Sequence, residues 1–123
     1  MAAELDISIP RSREAGQFAR NAIASIADWL PADKAHDLNL VVSELVNNAV
    51  EHGTGQIAVL IHALPHRIAG SVWDDGVGFT APASATQDNT PSNGWGLSIV
   101  DQLTHRWGVE RDPTRVWFEL VIP

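Results

Sequence analysis

The spacing of apolar positions changes along the chain, and each change marks an element. Leu5, Ile7 and Ile9 alternate with acidic and hydroxyl residues, the period of a short half-buried strand, and Pro10 stops it. Ala15, Phe18, Ala19, Ala22, Ile23 and Ile26 then recur at helical spacing. Ser12 can cap this helix, which is expected to run to about Leu30, where Pro31 breaks it. A second helix is expected from about Asp33 to Glu51, with Leu38, Val41, Val42, Leu45 and Ala49 on its core face and Gly53 as its stop. Residues 57–62 and 67–73 read as strands, with a turn in the Leu64-Pro65-His66 region. Residues 80–93 are rich in Ala, Thr, Ser, Pro and Asn and show no apolar period, as expected of a mobile loop. A third helix from about Leu97 to Trp107 and two closing strands, residues 109–111 and 116–122 around the turn Asp112-Pro113-Thr114, complete the pattern. This order predicts an α+β two-layer sandwich. It would have one mixed, mainly antiparallel sheet with three helices on one face, as a single domain over residues 1–123.

Composition removes several function classes. Acidic residues outnumber basic ones, 15 to 8, which argues against general nucleic-acid binding. There is no cysteine, so disulfides and thiolate metal sites are excluded. Neither an apolar signal core nor a long apolar run occurs, so a soluble cytoplasmic protein without a membrane partner is expected. The only lysine is Lys34, and without a Gly-Lys-Ser/Thr sequence there is no P-loop. Gly76-Val77-Gly78-Phe79-Thr80-Ala81 imitates a dinucleotide fingerprint, but Pro82 and a loop follow where that motif needs a helix. His62 and His66 have metal-pair spacing, yet Pro65 between them makes the segment a turn. His36 and His105 read as surface or satisfied core residues. Five tryptophans stand beside no tyrosine; Trp29, Trp73, Trp107 and Trp117 fit core or sheet-packing positions. Trp95 lies between two glycines, where it either walls a cleft or shields a helix start.

The chemistry concentrates in three places. On the second helix Glu44, Asn48 and His52 fall at i, i+4 and i+8, climbing one edge beside the apolar face. A carboxylate at such a border can act as a base, and an amide oxygen beside it can ligate a hard cation. Taken alone, such a flank more often only trims the core. Two glycine motifs change that reading. Asp74-Asp75-Gly76-Val77-Gly78-Phe79 follows the strand ending at Trp73, and Gly94-Trp95-Gly96-Leu97 precedes the third helix. Glycines at such junctions let backbone N–H groups approach a ligand, and a helix N-terminus favours anions.

The three motifs, in this order, resemble the GHKL-type (Bergerat-fold) ATP-binding domains. Within them the chain looks most like the RsbW-like anti-sigma-factor serine kinases of the actinobacterial branch. The resemblance runs from Leu5 to Pro123 and includes the ending Arg106-Trp107-Gly108-Val109 and Val116-Trp117-Phe118-Glu119-Leu120. The family's helix motif, Glu-x-x-x-Asn-Ala-x-x-His, is matched by Glu44, Asn48, Ala49 and His52. The resemblance implies Glu44 as general base and Asn48 as the Mg2+ ligand. It implies Asp74 as the contact of the adenine amine, with Gly76 and Gly78 letting the base lie close. Gly94, Gly96 and Leu97 would close the phosphate side, with Trp95 and His52 beside the nucleotide.

ATP and Mg2+ are therefore the implied cofactors. The implied activity is phosphorylation of a serine or threonine on a small anti-anti-sigma antagonist, with a sigma factor as a second partner and homodimers frequent in the family. A non-catalytic ATP-binding module acting by partner exchange, and an ATP hydrolase or histidine-kinase-like domain, stay open as alternatives. Two positions depart from the family pattern. Asn93 stands where a basic residue often precedes the Gly-x-Gly, and Arg115 lies near the register of an adenine-site threonine, with Thr114 before it. Arg11, Arg13 and Arg20, clustered at the start of the first helix of an acidic chain, are the expected docking surface for an acidic protein partner.

Overall fold

The computed structural model describes residues 3–75, 97–111 and 113–123. Strand β1, Ala3–Ile9, turns residues 5, 7 and 9 towards the core and Glu4, Asp6 and Ser8 to solvent. Helix α1, Ala15–Ile23, buries Ala15, Gly16, Ala19 and Ile23. It ends well before Leu30, the end expected from its periodicity. The backbone tightens to i→i−3 bonds, Ser25 N–H to the Ala22 carbonyl (3.0 Å) and Ile26 N–H to Ile23 (2.9 Å), and enters a 3-10 turn, Ala27–Trp29. Ile26 still reaches the core, because i+3 spacing serves either helix type. Trp29, read as a packing residue, is 51% exposed.

Helix α2, Ala32–His52, is the spine of the helical layer. Strands β2, Ile57–Leu64, and β3, Arg67–Trp73, form a hairpin closed by Pro65 and His66, with Leu64 opposite Arg67. Helix α3, Leu97–Leu103, is followed by β4, Arg106–Glu110, and β5, Arg115–Val121. The helix expected to reach Trp107 thus stops four residues earlier. Val100, Leu103 and Trp107 keep helical spacing, which conceals the change of period. The His105 N–H bonds the Glu119 carbonyl at 2.7 Å and draws the chain into the sheet. The Trp107 indole, 4% exposed, donates its N–H to Asp101 Oδ1 at 2.9 Å, tying β4 to α3.

The sheet order is β1-β2-β3-β5-β4, and each described pairing is antiparallel. Among the described residues no two strands pair in parallel, because β5 enters between β3 and β4, the two strands that run the same way. The architecture is otherwise the expected α+β sandwich. One sheet face, including Ile57, Val59, Ile61, Ile68, Val72, Val116, Phe118 and Leu120, shares a single core with α1, α2 and α3. The other face carries Trp73 and Trp117. Arg115 lies 5.2 Å over the Trp73 ring and Arg106 5.8 Å over that of Trp117.

Gly70 on β3 lies opposite Phe118, and a Cβ there would come within 2.8 Å of the ring. Gly70→Ala should therefore lower stability by about 1–3 kcal/mol through overpacking, read as an earlier urea midpoint at unchanged slope.

Candidate functional site

A helix that packs on a sheet presents its flanks to the layer boundary, and α2 places its polar side chains there by periodicity alone. Glu44 is half-buried, and one turn later Asn48 is 4% exposed. His52, the last residue of the helix, is exposed, with Nε2 3.5 Å from Glu51 Oε2. The Asn48 amide nitrogen is buried without a hydrogen-bond partner. Such an orphan costs about 1–3 kcal/mol. A half-turn of the amide exchanges its oxygen and nitrogen, so Asn48 can offer an unused acceptor to a ligand. That fits Mg2+, a hard cation that takes oxygen ligands and completes its shell with water and phosphate. Among the described residues no cluster of three His, Asp or Glu side chains could hold a metal by itself.

The second part of the site is built where β3 ends. Asp74, directly after Trp73, is only 5% exposed, and its N–H donates to the Thr114 carbonyl at 3.0 Å. Its carboxylate packs against Gly53, the residue that caps α2. A Cβ at Gly53 would collide with Asp74 Oδ2, fall 2.6 Å from its Cγ and lie 2.8 Å from the Ala49 carbonyl oxygen. Gly53 is extended (φ −97°, ψ −173°), so the position uses the missing side chain rather than the left-handed C-cap geometry common at helix ends. Gly55 does use left-handed backbone, at φ +72°, and a Cβ there would meet the Asp75 carboxylate. The Asp75 N–H donates to the Thr54 carbonyl at 2.9 Å, and Asp75 Oδ2 accepts the Gln56 N–H at 3.1 Å. Residues 53–56 and 74–75 thus form one knot between the end of α2 and the end of β3.

Arg11 reaches the same knot from the β1–α1 connection. Its Nη1 donates to the carbonyls of Ala49 (2.5 Å) and Val50 (2.9 Å), and its Nε to that of Gly55 (2.9 Å). A cation on the last-turn carbonyls opposes the negative end of the helix dipole.

The family model of the histidine kinase-like ATPase domain matches residues 10–122, which contain all of this architecture except β1. The chain belongs to the histidine kinase-like ATPase domain family. No curated protein matches it. An ATPase domain of this kind makes ATP the nucleotide class of the site, and the GHKL fold expected from the motifs is the fold observed. No helix among the described residues is long and apolar enough to cross a membrane.

In this histidine kinase-like ATPase domain the structure joins Asp74 to the end of the helix that carries Glu44 and Asn48. Leu97, 7% exposed, anchors the start of α3 in the shared core. Gly76, Gly78, Gly94, Trp95 and Gly96, like the loop expected over residues 80–93, lie outside the described residues. Of the two departures from the family pattern, the structure addresses the second. Thr114 is the residue beside Asp74 and is 2% exposed, whereas Arg115 turns to the other sheet face, over Trp73 and 3.3 Å from Glu110. The expected arginine cluster also divides. Arg11 is committed to the α2 carbonyls, and Arg20 bonds Ser43 Oγ (3.1 Å) and Gln17 Oε1 (2.9 Å) while remaining exposed, as is Arg13.

Sequence reading missed Gly53 and Gly55 as packing partners of the two aspartates. The available signal is the Gly-x-Gly directly after the helix, of which only Gly53 is expected, as the stop. Gly53→Ala should displace the Asp74 carboxylate and weaken ATP binding roughly tenfold or more in calorimetry, while circular dichroism still reports a folded domain.

Proposed function

We propose that this domain is a serine/threonine protein kinase of the anti-sigma type. On this reading it transfers the γ-phosphoryl group of ATP to a hydroxyl on a small anti-anti-sigma antagonist, with a sigma factor as a second, sequestered partner. The observation that carries the reading is the pair on α2: a half-buried carboxylate, Glu44, one turn from the buried, unpartnered amide of Asn48. Glu44 takes the proton of the substrate hydroxyl as its oxygen bonds the γ-phosphorus. The bond from that phosphorus to the β–γ bridging oxygen breaks, and ADP leaves with the electron pair. Mg2+, held by Asn48, supplies charge neutralisation at the phosphates when bound. The Asp74 carboxylate accepts from the adenine amine, with Thr114 beside it. Gly76, Gly78, Gly94, Trp95 and Gly96 complete the nucleotide site by resemblance to the family.

The partner surface on this reading is the exposed side of α1. Arg20 hydrogen-bonds Ser43, the residue next to Glu44, so an acidic protein docked on Arg13 and Arg20 stands close to the base. Phe18, 48% exposed on the same helix, adds apolar area for such a contact. Arg13→Glu with Arg20→Glu should abolish antagonist capture in a pull-down and leave ATP affinity nearly unchanged. Undiminished capture would move the interface elsewhere.

Transfer is tested with Mg-ATP and antagonist candidates encoded near this chain. Glu44→Ala should keep nucleotide binding and slow transfer by about 10²–10⁴-fold, the usual contribution of a general base. Asn48→Ala should instead weaken binding of Mg-ATP. Asp74→Asn, which turns an acceptor into a donor facing the adenine amine, should weaken ATP roughly ten- to hundredfold. Nucleotide binding without transfer to any candidate would favour a module that works by partner exchange.

A further inference from the structure

Arg11 lies outside every motif of the family resemblance, yet its guanidinium ties the last turn of α2 to the turn that follows it. Its Nη1 donates to the Ala49 carbonyl, which also accepts the Gly53 N–H at 3.0 Å. Gly53 is the residue against which the Asp74 carboxylate rests. Its Nε donates to the carbonyl of Gly55, whose left-handed backbone lies under the Asp75 carboxylate. One rigid guanidinium therefore grips residues 49, 50 and 55 and fixes the span Gly53–Thr54–Gly55 between its two ends. The acids are in turn fastened to that span through Asp75 N–H to Thr54 O and Gln56 N–H to Asp75 Oδ2. A planar fork can hold several carbonyls at a set spacing, which a single ammonium cannot.

We propose that Arg11 is a positioning residue for nucleotide-base recognition: it sets where the Asp74 carboxylate stands by pinning the turn that Asp74 packs against. Arg11 touches neither nucleotide nor metal. Without it the carbonyls of Ala49, Val50 and Gly55 lose their shared donor, and Gly53 can withdraw from Asp74. The carboxylate then loses the fixed placement that distinguishes an exocyclic amine from a carbonyl at the same ring position. The inference rests on Asp74 as the adenine contact.

The test compares ATP with ITP, which carries an oxygen where adenine carries its amine. Dissociation constants are measured by calorimetry with Mg2+, at a temperature where circular dichroism shows each variant folded. The wild-type protein should prefer ATP by roughly ten- to hundredfold. In Arg11→Met that ratio should fall by at least about fivefold, because ATP weakens and ITP barely changes. A purely structural role would weaken both nucleotides equally and leave the ratio intact. Arg11→Lys keeps the charge at the helix end but cannot span both carbonyl sets, so its ratio should fall as well. If Arg11→Met does not fold, Arg11→Lys decides. A wild-type ratio in either variant overturns the positioning role while Asp74 keeps its assignment. Equal affinity of the wild-type protein for ATP and ITP removes the Asp74 assignment, and the role of Arg11 with it.

Discussion

The candidate site depends on how closely the last turn of α2 approaches the end of β3. A carboxylate as buried as that of Asp74 needs a place the backbone can provide, and here that place is the missing side chain of Gly53. The approach is fixed from several directions. The Asp74 N–H ties β3 to the start of β5 through Thr114, Asp75 ties it back to Thr54 and Gln56, and Arg11 draws in the carbonyls on either side of Gly53. Buried polar groups are tolerated when they are satisfied together, so such a knot is stiff where it is complete. Among the described residues, Arg11 Nη2 in the knot and, on α2, Asn39 Oδ1 and the Asn48 amide nitrogen, five residues before Gly53, are buried without a partner.

The same helix must also close the core. Leu38, Val41, Val42, Leu45, Val46 and Ala49 are all buried in the face that meets the sheet, which fixes the rotation of α2 about its axis. Once that rotation is set, Glu44 and Asn48 have no freedom to leave the layer boundary. Packing on the helical side thus decides the direction in which the chemistry points. The opposite sheet face takes the bulky cationic residues instead. Arg115 and Arg106 lie over Trp73 and Trp117 there and are paired with Glu110 and Glu119. Alternation along β5 sends the neighbours Thr114 and Arg115 to opposite faces, so the small hydroxyl residue meets Asp74 and the guanidinium does not.

Much of this was legible in residue spacing. The apolar stripe of α2, the alternation of β1, β2, β3 and β5, and the polar edge at Glu44 and Asn48 all follow from the periods of helix and strand. The errors arose where one pattern served two structures. Ile23 and Ile26 fit α-helix and 3-10 turn alike, and Val100, Leu103 and Trp107 keep helical spacing across a break that a sheet hydrogen bond to Glu119 imposes. Trp29 was assigned to packing by residue type, but after Ile26 the chain turns it outward. The knot could not be read at all, since Arg11, Gly53, Asp74 and Thr114 meet only through tertiary structure. By sequence Arg11 falls with Arg13 and Arg20 in a cluster on an acidic chain, which reads as a docking surface. By sequence alone Gly53 reads as a helix stop, and Thr114 precedes the register of the adenine-site threonine.

On the proposed function the knot at Asp74 and the amide of Asn48 are the two ends of one nucleotide site. A crystal structure with Mg2+ and a non-hydrolysable ATP analogue tests it most directly. The expected result is the adenine amine within hydrogen-bond distance of the Asp74 carboxylate and the Asn48 amide oxygen about 2.0–2.1 Å from the metal. A nucleotide bound elsewhere, or a metal held without Asn48, would mean that these residues form no nucleotide site.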